Sequence, residues 1–312
     1  MSLLDLPNPL DQVEVQAYYQ DIYRFKINNS FDELQFSKGK INYGRLCKRL
    51  ASIDLPDPSL LPYQQISLEE LITSVKEILN KLFDNTYETE VDRLTKTIKL
   101  RRTDNPMDAA LEEIYYQDQQ TGERIHISDK ISTIGIVALA HEIIHALLSK
   151  YNGEEYNKHL NNIHYKELLS VIVEYIVCYE ISKIFHDDLS TKQRINRFFV
   201  ANNNVIEQER MKDIIKLVPP ILLPQYQIYD EYVNHNTFGN IVTDAYGRRL
   251  LDLYKDDPST LLKLVKEIID GNKQVRDLIK YYHLSLTDKP TIYGYYESLD
   301  EIVVLSKKYQ KN

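Results

Sequence analysis

The stretch Ile136-Val-Ala-Leu-Ala-His-Glu-Ile-Ile-His-Ala-Leu-Leu148 decides how the rest of the chain is read. A helix advances about 1.5 Å and 100° per residue, so His141 and His145 lie on one face, one turn apart. Two imidazoles with that spacing can reach a single ion at about 2.0 to 2.1 Å. Glu142 stands beside them, where its carboxylate can take a proton from a water activated by the ion. H-E-x-x-H inside an apolar helix is the local signature of a zinc-dependent hydrolase. Ile134, Val137, Ala138, Ile144 and Leu148 surround the motif, which sets the histidines in or beside a core where unpartnered polar groups are costly. The pattern predicts a helix over 131–151, capped at its start by Ser132 or Thr133 and ended by Gly153.

A catalytic zinc usually has three protein ligands and an open position, so a third donor is sought on another element. Lys166-Glu-Leu-Leu-Ser-Val-Ile-Val-Glu-Tyr-Ile-Val-Cys-Tyr-Glu-Ile181 is apolar almost all round, as a buried helix is, and predicts a second helix over 165–185. Glu167, Ser170 and Glu174 interrupt it. A step of seven residues returns to within about 20° of the same face. Carboxylates on a buried stripe require a cation or strong donors, which makes both glutamates candidates.

H-E-x-x-H followed by E-x-x-S-x-x-x-E resembles the thimet oligopeptidase and oligoendopeptidase F family of zinc metallopeptidases, within the thermolysin-like group whose third ligand is Glu. The resemblance implies a zincin-like metallopeptidase core with Zn²⁺ held by His141, His145 and Glu167, and Glu142 as general base. Glu174, with Ser170, would line the site and orient the ligands. Thr291-Ile-Tyr-Gly-Tyr-Tyr-Glu-Ser-Leu-Asp-Glu301 is similar to the family's Gly-Tyr-Tyr stretch. By that likeness Tyr295 reaches the substrate and the oxyanion, with Tyr293 and Tyr296 as alternatives. The chain departs from the family in having Ile144 where a glycine is usual, and in lacking a clear match to the histidine ahead of the tyrosines, for which His283 and His235 are the nearest. It is also about half the usual family length.

Thirty-eight Lys plus Arg against 46 Asp plus Glu leave a net charge of −8, which argues against nonspecific binding to nucleic acid. The basic run Lys96-Thr-Ile-Lys-Leu-Arg-Arg102 reads as a solvated strand face. No apolar run is expected to reach the length of a membrane span, and the start of the chain lacks the basic and apolar segments of a signal peptide, so a cytoplasmic setting is the default expectation. Cys47 and Cys178 alone do not make a disulfide scaffold.

The expected architecture is α+β and predominantly α-helical, with a small β-sheet beside the active-site helix. Residues 1–62, punctuated by Pro7, Pro9, Pro56, Pro58 and Pro62, read as an N-terminal covering arm with one helix near 41–52. Residues 63–312 read as the catalytic domain. Ser67 and Glu70 form a capping box ahead of a helix over 67–85. Residues 88–102 and 113–128 alternate like strands, and Gln119-Gln-Thr-Gly122 predicts a hairpin. The thermolysin-like resemblance makes Ile125 to Ser128 the candidate edge strand for pairing with an extended substrate, with His126 an outward strand residue. Further helices are expected near 190–202, 205–216, 238–255, 259–270 and 273–283. The function implied is hydrolysis of peptides or of an exposed protein segment. A narrow-specificity effector or toxin and a noncatalytic zinc-containing module are the alternatives.

Overall fold

The computed structural model describes residues 43–55, 61–101, 114–118, 122–158, 163–217, 223–284, 294–307 and 309. Much of the expected covering arm therefore lies outside the described residues. Helix α1 (Tyr43–Ala51) is followed by α2 (Leu68–Leu82) and α3 (Glu88–Thr95), then strands β1 (Ile98–Arg101), β2 (Ile114–Asp118) and β3 (Gly122–Ser128). Helices α4 (Thr133–Lys158), α5 (Ile163–Phe185), α6 (Leu189–Leu217), α7 (Leu223–Asp256), α8 (Pro258–Ile269), α9 (Val275–Tyr281) and α10 (Gly294–Ser306) complete the order. Among the described residues the architecture is α+β, mostly helical, with one small sheet.

Local chemistry accounts for several of these elements. Ser67 accepts from the Glu70 amide at 3.1 Å and the Glu70 carboxylate accepts from the Ser67 amide at 2.7 Å, the expected capping box of α2. Below it Leu71, Val75, Ile78, Leu79 and Leu82 form the buried stripe. Pro258 occupies the first turn of α8 and Asp257 caps it, an arrangement in which the missing proline N–H costs nothing.

The centre of the fold is α5, packed against α4 on one side and α7 on another, with α6 closing the group. Among the described side chains, α4 is buried or half-buried except at Lys150 and Tyr151, and α5 except at Lys183 and Ile184. Residues such as Ile136, Leu139, Ile143 and Leu147 on α4, and Leu169, Ile172, Tyr175 and Ile176 on α5, are buried on several faces. The Thr133–Asn152 segment of α4 is long and apolar enough to cross a membrane by length and hydropathy, contrary to the sequence expectation, but 72% of it is buried inside the fold. Its apolar surface is covered by other helices.

Some expected boundaries move. Helix α4 runs through Gly153 to Lys158, because a glycine within a helix costs only about 1 kcal/mol and Asn152 ties this turn to the Ile268 and Ile269 carbonyls at the end of α8. The Thr133 hydroxyl does not cap the helix; it donates to Asp187 at 2.9 Å. Residues 88–95 are helical rather than extended, since Glu90, Val91, Leu94 and Thr95 are buried together at helical spacing. The two helices expected over 190–216 are one, because the buried Asn202 donates to the Leu50 and Ile53 carbonyls and anchors the helix at its polar centre.

The sheet has the order β1-β3-β2. β2 pairs antiparallel with β3, as the hairpin reading expects, from Ile114 opposite His126 to Asp118 opposite Gly122. β1 pairs parallel with the other side of β3, Ile98 opposite Ile125 through Arg101 opposite Ser128. Ile125 to Ser128 is therefore the central strand and its backbone edges are used, which corrects its assignment as the substrate-pairing edge.

At Gly247, α7 meets α5 so closely that a Cβ would stand 2.9 Å from both Tyr175 Cδ2 and Val171 Cγ1. Both neighbours are fully buried, so neither can yield cheaply. Gly247→Ala is expected to destabilise the fold by about 1 to 3 kcal/mol, despite alanine's better helix propensity. A urea-unfolding midpoint equal to or above wild type would show that the contact is looser.

Candidate metal centre

His141 and His145 project from the middle of α4 and Glu167 from the first turns of α5, and the packing of those helices brings the three together. The imidazole rings meet edge to face with centroids 4.8 Å apart, and their Nε2 atoms are 3.0 Å apart. Glu167 Oε2 lies 3.4 Å from His141 Nε2, and Oε1 lies 3.4 Å from His145 Nε2. One donor atom from each residue falls within a 4.8 Å group. Donors placed tetrahedrally about an ion at about 2.0 to 2.1 Å are ~3.3 Å from each other, so these separations, and the two-imidazole, one-carboxylate chemistry, fit a metal ion.

The opposite nitrogen of the His141 ring is also engaged. Nδ1 lies 3.1 Å from Glu174 Oε2. Glu174 is buried and is held by α6: Arg197 Nε donates to Oε1 at 2.9 Å, a second Arg197 nitrogen donates to Oε2, and Gln193 Nε2 donates to Oε1. Burial alone would raise the Glu174 pKa, but Arg197 and His141 outweigh it and hold the carboxyl at about 2. Burial likewise disfavours a charged His141, yet Glu167 and Glu174 push it up to about 10. Glu167 is held well below the usual carboxylate range by the two histidines, against the effect of burial. A metal held by His141 would have to displace the ring proton, so its binding would tighten as pH rises.

The group opens onto a cavity of about 330 Å³ lined by Ile134, Val137, Ala138, His141 and Glu142 of α4, Glu167 and Glu174 of α5, and Gln193, Asn196, Arg197 and Val200 of α6. The α4 wall is apolar up to His141; the α6 wall is mostly polar. The frame is tied together at one end, where Asp187, between α5 and α6, accepts from Thr133 at the start of α4 and from the buried Lys192 of α6. Lys192 also donates to the Pro62 carbonyl.

Among the residues singled out by sequence, His141, Glu142, Glu167 and Glu174 line this cavity, and His145 joins them through its contacts with His141 and Glu167. Ser170 is fully buried, and its hydroxyl has no hydrogen-bond partner among the described residues. His283 sits at a positive φ of 50° just beyond α9. Tyr293 and the side chains of Tyr295, Tyr296 and His235 lie outside the described residues. His126 is half-buried on β3. Cys47 and Cys178 are both buried, and burial pushes the Cys178 thiol well up.

Arg197, Gln193 and Asn196 were not visible as site residues in the sequence. The available signal was three polar side chains at positions 193, 196 and 197, one face of a helix, interleaved with the buried Ile195, Phe198 and Phe199. That pattern marks a polar stripe turned inward but says nothing of its partner.

No known family pattern matches the chain, and no curated protein is detectably similar to it in sequence. Its fold is similar to that of a solved structure from Bacillus anthracis str. Ames described as a "putative oligoendopeptidase F", with a TM-score of 0.52 and 11% sequence identity over 80% of this chain. The chain spans about half of that protein, 47% of its length. The likeness is one of fold: a mostly helical α+β frame distantly resembling a peptidase, carrying a His-His-Glu group able to hold a metal.

Proposed function

We propose that this protein is a zinc-dependent peptidase with a zincin-like core. The observation that carries the reading is the meeting of both H-E-x-x-H imidazoles with Glu167 from the following helix, where His141, Glu142 and Glu167 line one cavity. His141, His145 and Glu167 would hold zinc. When bound, the ion would polarise the scissile carbonyl and acidify the attacking water. Glu142 takes the proton of that water as it attacks the carbonyl carbon, and delivers the proton to the leaving amine as the C–N bond breaks. Glu174 holds His141 by Nδ1, so that Nε2 is turned to the metal group. Tyr295, or its neighbours Tyr293 and Tyr296, is proposed from the family resemblance as the donor to the oxyanion.

The substrates proposed are peptides or an exposed protein segment, with no nucleic acid or membrane partner. With β3 central, an extended peptide would add to the edge presented by β1 or β2. The purified chain supplied with zinc is expected to cleave members of a mixed peptide library, as read by mass spectrometry of the products. Chelation should abolish cleavage and added zinc restore it. Stoichiometric zinc with no turnover of any peptide would instead favour a noncatalytic zinc-containing module.

A further inference from the structure

Arg197 has no place in either motif of the site, yet together with Gln193, which donates to Oε1, it holds the carboxylate behind His141. It approaches Glu174 with two nitrogens, Nε to Oε1 at 2.9 Å and Nη2 to Oε2. Such a fork fixes the plane of a carboxylate, whereas a single donor leaves it free to rotate. Glu174 Oε2 is in turn 3.1 Å from His141 Nδ1, and the partner of one ring nitrogen sets the orientation and tautomer through which the other acts.

On the neighbouring turn of α5, Tyr175 donates to the buried Asp244 of α7. Asp244 is 3.3 Å from Arg248, whose guanidinium lies 4.8 Å from the Phe198 ring.

We infer that Arg197 is a positioning residue: through the fork on Glu174 it locks the His141 ring so that Nε2 faces His145 and Glu167. This rests on the zinc-site reading for its consequence, but its first link is a property of the metal-free protein.

The test compares wild type with Arg197→Met and Arg197→Lys, with melting curves as the check on folding. In zinc-free protein the His141 Nδ1–H resonance, read by ¹⁵N-edited NMR, is expected to be sharp and exchange-protected in wild type, lost in Arg197→Met, and weakened in Arg197→Lys, which retains the charge without the fork. Zinc affinity, measured by competition with a chelator, is expected to fall by roughly 10 to 100-fold in Arg197→Met and by less in Arg197→Lys. A folded Arg197→Met protein with wild-type resonance and affinity overturns the inference. If Arg197→Met does not fold, Arg197→Lys decides it, and wild-type values there overturn the role of the fork. A resonance that depends on Arg197 in a protein binding no zinc would uphold the positioning role while sinking the zinc-site reading.

Discussion

Glu142→Gln is expected to keep the fold and the zinc while losing peptide hydrolysis by roughly 10² to 10⁴-fold or more, the range for removing a positioned general base. That corresponds to about 3 to 5 kcal/mol of transition-state stabilisation. The reason is geometric as well as chemical. Glu142 lines the cavity beside His141 and Glu167, and an amide of the same shape can occupy its space without accepting a proton. Steady-state rates on a cleaved library peptide, with zinc content measured on the same sample, would decide it. Rates near wild type would mean that another group removes the proton. Loss of metal would instead make Glu142 part of the binding group.

The second large effect is on the metal itself. Wild type is expected to retain about one zinc per chain after dialysis, since three converging donors make a strong site. His141→Ala and His145→Ala should each abolish that occupancy, and Glu167→Ala should do so as severely. Glu174→Ala should weaken affinity by only the roughly 10 to 100-fold typical of a residue that acts through a ligand. The distinction follows from which nitrogen each carboxylate faces: Glu167 stands 3.4 Å from Nε2 of both histidines, while Glu174 stands 3.1 Å from Nδ1 of His141 on the other side of the ring. Undiminished zinc in either histidine variant, by elemental analysis, would remove the central claim. A Glu174→Ala protein devoid of zinc beside a zinc-replete Glu167→Ala protein would reverse the roles of the two glutamates.

The fold class was legible because its signals are local. Apolar periodicity, the Ser67–Glu70 box and the prolines located most helices, and the alternation on either side of Gln119–Gly122 located the hairpin. The errors arose where packing overrode local preference. The 88–95 segment is a helix because its buried residues need a helical face, and α6 passes through Asn202 because that side chain is bonded to α1. Strand order was the most consequential error. Nothing in Ile125 to Ser128 records that residues 98–101 pair along its other side, since the hydrogen bonds between strands are made by backbone that every residue shares.

By itself the sequence determined that His141 and His145 share one helical face with Glu142 beside them, and that Glu167 and Glu174 share a face of a second, largely apolar helix. Helical geometry requires both, whatever surrounds them. Only the tertiary structure decided that the two faces meet, and which glutamate faces which nitrogen. It also decided that Arg197 and Gln193 of a third helix close around Glu174. Those contacts depend on how α4, α5 and α6 cross. The crossing is set by side-chain packing along whole helices and by the Thr133–Asp187–Lys192 link at their ends, and no short motif records it.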